Sequence, residues 1–282
     1  MPNRAAVLCV AITCLLPAAN CVAQKPPSRF TMESKAVGAA YTIEVVVPEG
    51  QAAGGKKLPV IYCTDWFVLG DYLKSLPRLM DMGRLTEPHI MVGISAGATM
   101  NDWATARTRD FTPDRPVDSY SKENTFAPAL ELAGGSERFI AFLKDELIPR
   151  VEADYPADPA RRAFAGYSLG ALLATQLLAR EPQLFQYFLI GSPSLWHNEY
   201  RLAAEFEKTP EERLRPIRKV YLSVGEEESW EMLKGYGLLR DALQHKGFTD
   251  SRIKAEIIPD AGHVGAMPIA FYNGIRFLFD RD

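Results

Sequence analysis

Charge of one sign is what this chain has least of. Its 32 Lys and Arg stand against 35 Asp and Glu, a net charge of −3 with no long run of either sign. The basic footprint of a nucleic-acid binder is therefore missing. Cysteine is scarce as well, four in 282 residues, and the N-terminus makes it scarcer. Arg4 precedes an apolar run from Ala5 to Leu16, Pro17 breaks the run, and the small residues that follow end in Cys21-Val22-Ala23. That is the three-part layout of a secretory signal peptide, with cleavage expected after Ala23 and export to the periplasm or the medium. The run falls short of the ~20 apolar residues that a membrane span takes. An alternative in which Cys21 carries a lipid anchor is disfavoured by Asn20, a poor small residue before it. Removal of residues 1–23 takes Cys9, Cys14 and Cys21 with it and leaves Cys63 alone, so no intramolecular disulfide is expected. Cys63 closes an apolar run, where a buried, inert thiol is the expectation. The four histidines (His89, His197, His245, His263) show no paired metal-ligand spacing, and no metal or organic cofactor is implied.

What remains is the make-up of a globular protein, 47% hydrophobic and 24% charged, which excludes wholesale disorder. Tyr41-Thr42-Ile43-Glu44-Val45-Val46-Val47 is β-branched and partly alternating, and with a Gly- and Ala-rich turn over 48–57 it predicts a hairpin to the next strand. Leu58-Pro59-Val60-Ile61-Tyr62-Cys63 and His89-Ile90-Met91-Val92-Gly93-Ile94 are nearly continuous apolar runs, as expected of strands covered on both faces. A helix is expected around 72–82, and a long irregular segment from Ser95 to about Glu131 reads as a functional loop or lid. Helical spacing of Phe139, Ile140, Phe142, Leu143, Leu147, Ile148, Val151 and Tyr155 predicts an amphipathic helix from Ser136. Strands at 162–166, 187–190, 219–224 and 253–258 then alternate with helices at 169–180, 232–246 and 266–279. The alternation predicts one doubly wound, mostly parallel α/β sheet, a single domain over 24–282 with no repeat or linker.

Gly166-Tyr167-Ser168-Leu169-Gly170 matches G-x-S-x-G between an apolar strand and a helix. In that context the Ser backbone is forced into a sharp turn, the two glycines let strand and helix approach, and the hydroxyl is pushed out above the sheet edge. A Ser hydroxyl is a weak nucleophile until a base takes its proton. His263, in Asp260-Ala261-Gly262-His263-Val264-Gly265 after the last predicted strand, is the best-placed base. His89 lies on the other side of the serine in chain order, His245 falls on a polar helix face, and His197 could line the site. An acid to orient the imidazole is expected between serine and histidine, past a strand end. Glu226, Glu227 and Glu228 after Gly225 all qualify by position, and Asp260, in the histidine's own loop, suits a turn better.

Together these residues resemble the putative esterase (esterase D-like) family of α/β-hydrolases, which includes siderophore trilactone, feruloyl and acetyl xylan esterases, S-formylglutathione hydrolases and mycolyltransferases. The resemblance extends to Gly134-Gly135-Ser136-Glu137-Arg138-Phe139 through Pro149, to Arg107-Thr108-Arg109-Asp110-Phe111-Thr112-Pro113, and to Gly191-Ser192-Pro193-Ser194-Leu195-Trp196. It implies an α/β-hydrolase fold and a serine carboxylic-ester hydrolase acting through an acyl-enzyme. It selects Glu228, third after Gly225, as the acid, and it gives one oxyanion donor as the Leu169 N–H. The other comes from Thr64-Asp65-Trp66-Phe67, where Trp66 stands in place of the family's common Gly, so the donor is Trp66 or Phe67. Trp66 is also a candidate wall of the acyl pocket. Arg107 and Arg109 are candidates to meet an anionic substrate, or else ion pairs with Asp110 or Asp102. Trp196 and Trp103 are candidates to stack an aryl ring, or else packing residues. The substrate class implied is a small aryl, acyl-sugar or siderophore-type ester, with an acyltransferase or a non-catalytic accessory protein on the same fold as alternatives.

Overall fold

The computed structural model describes residues 28–48, 56–117 and 129–281. The expected signal segment, Cys21 included, lies outside the described residues, as do 49–55 of the expected turn and 118–128 of the expected lid. Eight strands make one sheet: β1 (Arg29–Ser34), β2 (Ala39–Val46), β3 (Leu58–Cys63), β4 (Ile90–Ser95), β5 (Ala157–Tyr167), β6 (Tyr187–Gly191), β7 (Lys219–Gly225) and β8 (Ile253–Ile258), in the order β1-β2-β4-β3-β5-β6-β7-β8. β1 and β2 are antiparallel to each other, β2 is antiparallel to β4, and from β4 through β8 every pairing is parallel. The helices between strands are α1 (Trp66–Met82), α2 (Met100–Phe111), α3, α4 (Leu169–Arg180), α5 (Arg201–Glu207) and α6 (Trp230–His245), and α7 (His263–Leu278) follows β8. α3 is three contiguous pieces, Ser136–Ala141, a π-helical stretch Phe142–Leu147, and Ile148–Asp154.

The continuous apolar strands follow from this layering. In β3, Val60 and Tyr62 join the core cluster with Phe139, Phe142, Leu172 and Leu239 of α3, α4 and α6. Ile61 and Cys63 point the other way, to Leu69 and Leu73 of α1 and Phe271 of α7. A strand sandwiched between helices has no solvent face to make polar, so both rows are apolar.

Two expectations needed correction. The hairpin from β2 to β3 does not form: β2 pairs with β1 and β4. β2 alternates buried and half-buried residues and suits a place near the sheet edge, whereas β3, buried along its whole length, goes to the interior with β4 between them. The segment after Ser95 is also less irregular than expected, because α2 occupies 100–111 under a Thr99–Asp102 capping box. Its buried side chains include Arg107, Thr108 and Asp110. A helix that buries polar residues shows no apolar stripe to a reader of the sequence.

Strand order reverses between β3 and β5, which are adjacent in the sheet although β4 lies between them in the chain. Ligand sites of open α/β sheets form at the carboxyl ends of strands at such a switch point. Here those ends carry Thr64-Asp65 and Ser168.

Candidate active site

Ser168 stands between β5 and α4 with φ 59° and ψ −117°, a region that non-glycine residues seldom occupy and that costs of order 1–3 kcal/mol where it is enforced. The two motif glycines make room for the turn that holds it. A Cβ at Gly166 would overlap the carbonyl of Gly170, and one at Gly170 would overlap Thr64 Oγ1 and come within 2.7 Å of Asp65 Oδ2. Ser168 N–H donates to Gly191 O at 2.9 Å and its carbonyl accepts from Ala171 and Leu172, so the turn is bonded on both sides. The amide of Leu169, first residue of α4, is thereby left in the first helical turn with no intrahelical carbonyl to reach. Ser168 Oγ is partly exposed and lies 3.2 Å from Ser194 Oγ.

Expected in a loop, His263 is instead the first residue of α7. Its Nδ1 is 2.6 Å from Glu228 Oε2, which places the proton on Nδ1 facing the carboxylate and leaves Nε2 as the basic nitrogen. The ring packs 5.2 Å from that of Tyr167, the residue before Ser168, and Tyr167 Oη donates to the His263 carbonyl at 2.6 Å. Imidazole and elbow are thus tied through one side chain. Of the four carboxylates that position left open, Glu228 is the one whose side chain is buried, 0% exposed, and meets His263. Glu226 accepts the Asp260 N–H at 3.1 Å, Glu227 is exposed, and Asp260 sits at a turn with φ 52°. Glu228 Oε1 accepts the Gly225 N–H at 2.9 Å and lies 2.6 Å from Ser192 Oγ. Burial alone would raise the Glu228 pKa. The hydrogen bond and charge of His263, with the bonds from Ser192 and Gly225, outweigh it and hold the carboxyl below its ordinary value.

Across the switch point, Asp65 is in the left-handed region at φ 63° and leads into α1. Val68 and Leu69 donate to its carbonyl, so Trp66 and Phe67 supply the first free amides of that helix. The Trp66 indole packs on Gly93 and Gly70 and donates from Nε1 to Glu44 at 2.9 Å. Gly93 of β4, where a Cβ would overlap the indole, makes room for the ring. Phe67 is half-buried and stacks on Trp103 at 6.4 Å, 24° between planes.

Both arginines are engaged within the protein. Arg109 donates to Asp110 at 2.7 and 2.8 Å and to Tyr41 Oη at 3.2 Å, holding α2 to β2. Arg107 is buried and pairs with Asp65, a partner not among those expected, at 2.5 Å. Trp196 is buried too, its Nε1 directed to Met232 Sδ at 3.1 Å. His197 is 2.9 Å from Asp114 Oδ1, and His245 is exposed near Glu207. The sequence had offered no role for Tyr167, Ser192, Ser194 or Asp65. The signal for each was only its place inside a segment singled out for other residues, 64–67, 166–170 or 191–196. Among the described residues no group of His, Cys, Asp and Glu could hold a metal ion, and no helix is long and apolar enough to cross a membrane.

Several known proteins resemble this chain. The chain is 28% identical over 243 residues to the ferri-bacillibactin esterase BesA of Bacillus subtilis, covering 79% of this chain and 80% of the relative. It is 29% identical over 174 residues to the siderophore enterobactin esterase of Emericella nidulans, covering 58% and 57%. The crystal structure of the BES protein from Bacillus cereus superposes with a TM-score of 0.77 at 23% identity, covering 99% of this chain and 100% of that one, which shows a shared α/β-hydrolase fold. The family model described as putative esterase matches residues 34–236, and on that match the chain belongs to the putative esterase family and is an esterase.

Proposed function

We propose that the chain is an exported serine carboxylic-ester hydrolase acting through an acyl-enzyme, with Ser168 as nucleophile, His263 as base and Glu228 as the acid that orients it. The observation that carries this reading is the strained Ser168 elbow on the same sheet edge as a His263 whose Nδ1 is bonded to a buried Glu228 at 2.6 Å. Ser168 Oγ attacks the ester carbonyl carbon while His263 Nε2 takes its proton. The oxyanion is held by the Leu169 N–H and by the amide of Trp66 or Phe67. As the tetrahedral intermediate collapses, the imidazolium returns that proton to the leaving alkoxide. A water then attacks the acyl-enzyme with the same histidine as base, the carboxylic acid departs and Ser168 is regenerated.

The substrate class we assign is a siderophore-type ester. Its support is that one relative is named a siderophore enterobactin esterase and the other a ferri-bacillibactin esterase, together with the half-buried Phe67–Trp103 pair at the second oxyanion loop, an apolar face suited to an aryl ring. Export rests on the N-terminal segment, with cleavage after Ala23. The test is hydrolysis of p-nitrophenyl acetate and butyrate by the mature protein beside Ser168→Ala. Hydrolysis no faster than the variant's would end the esterase mechanism proposed here. A panel of catecholate-lactone, feruloyl and acetylated-sugar esters ranks the substrates, and a preference for either of the last two classes would overturn the siderophore assignment.

A further inference from the structure

Two residues in the left-handed region, Asp65 and Ser168, end neighbouring strands: β3 and β5 run parallel with Cys63 opposite Ala165. Each is followed by a helix whose first amides are the proposed oxyanion donors. A single side chain from a third element touches both turns. Arg107 of α2 places Nε 2.5 Å from Asp65 Oδ1, an ionic contact, and Nη2 donates to the carbonyl of Tyr167, the residue before Ser168, at 3.2 Å. The side chains are 10% and 3% exposed. The guanidinium also lies 4.5 Å over the Trp103 ring, which fixes its plane.

We infer that Arg107 is a positioning residue that couples the two halves of the oxyanion hole, holding the Asp65 turn and the Ser168 elbow at one separation. The inference rests on the mechanism proposed above. Oxyanion stabilisation depends on donors set in advance at hydrogen-bond distance from an oxygen that exists only in the transition state. The Leu169 amide and the Trp66 or Phe67 amide belong to different strand–helix turns, so their spacing is a tertiary quantity that neither turn sets by itself. Arginine suits the task because its planar fork can bond a carboxylate through one nitrogen and a carbonyl through another, whereas lysine offers one point charge. Removal of Arg107 would also leave the Asp65 carboxylate buried without its partner.

The experiment compares Arg107→Met, Arg107→Lys and the double variant Arg107→Met/Asp65→Asn with the unaltered protein. It uses p-nitrophenyl butyrate turnover, affinity for an alkyl trifluoromethyl ketone that Ser168 attacks to give a bound oxyanion, and melting temperature. For Arg107→Met the expected result is a fall in kcat of about 100-fold, the scale of a misplaced oxyanion donor. KM should change little, ketone affinity should fall in step with kcat/KM, and the lysine variant should be intermediate. The double variant should lose no more than Arg107→Met, since the two groups act as a unit. A raised KM with kcat intact would make Arg107 a substrate contact and overturn the inference. A lowered melting temperature with kcat and ketone affinity unchanged would make it structural only and do the same. Should Arg107→Met fail to fold, Arg107→Lys decides by the same split between kcat and KM. Failure of the underlying mechanism is separately visible as an unaltered protein whose hydrolysis does not depend on Ser168.

Discussion

Replacing Glu228 by Gln probes the proposed mechanism most directly, because the surroundings dictate how the new amide must sit. Glu228 Oε1 accepts from the Gly225 backbone N–H at 2.9 Å, and that N–H can only donate. The amide oxygen of Gln must therefore take the Oε1 position, which turns the NH2 toward His263 Nδ1, where Oε2 now lies at 2.6 Å. An NH2 cannot accept the Nδ1 proton. Neutral His263 is then driven to the tautomer with its proton on Nε2, the nitrogen that has to act as base. Loss of the correct tautomer in a Ser-His-acid site costs about 10⁴ in kcat, or about 5.4 kcal/mol of transition-state stabilisation at 1.36 kcal/mol per decade. The buried Glu228 side chain has no place in substrate binding, so KM should stay within a small factor. Steady-state p-nitrophenyl butyrate kinetics on the Gln variant, with Ser168→Ala as the floor, measure both. A loss in kcat below tenfold, or a loss expressed in KM, would refute the assignment of Glu228. The same variant reports on stability against pH. The folded Glu228 carboxyl titrates below its ordinary value of 4.5, so its contribution is fully present above that value and is lost as pH falls through the depressed folded one. The melting temperature of the unaltered protein should therefore exceed that of the Gln variant at pH 7, and the gap should close as the medium is acidified past pH 4.5. A gap that widened in acid would reverse the sign of the argument.

Two further outcomes follow from packing. Gly170→Ala places a methyl group on Thr64 Oγ1 and Asp65 Oδ2, and since these atoms belong to the turn that carries the proposed second oxyanion donor, the variant should lose about 1–3 kcal/mol of stability in urea unfolding together with most of its esterase activity. Cys63 is fully buried and burial pushes its thiol well above the ordinary range, so a thiol reagent such as DTNB at pH 8 should label it only on unfolding; fast labelling of the native protein would contradict the buried strand.

Much of the fold was legible because its signals are local. β3, β4, β6 and β7 are short apolar runs, and a strand covered by helices on both faces leaves that mark directly in the sequence. Leu and Ala content after the motif marks α4 over its full length, Leu169–Arg180. α2 leaves no such mark because Arg107 and Asp110 are among its buried side chains, and their partners Asp65, Tyr41 and Tyr167 lie far away in the chain. The hairpin from β2 failed for a related reason: neighbours in sequence became neighbours-but-one in the sheet, and alternation in a strand says which face is buried without saying beside whom.

The sequence by itself determined the chemistry that short-range geometry can hold: a serine flanked by two glycines at a strand-to-helix turn, a carboxylate-rich strand end, and a histidine after the last strand, in that order. Those features need only a few consecutive residues to be meaningful. Position left four carboxylates open and the family resemblance pointed to Glu228; tertiary structure turns that one inward to His263, braces the pair with Tyr167 and Ser192, and buries Arg107 between two turns. Each of these depends on atoms brought together across 35 residues, as for Glu228 and His263, or 60, as for Arg107 and Tyr167. Which side chain ends up charged and paired in such a place is set by burial and by the partners that burial supplies, and neither is a property of a residue's neighbours in the chain.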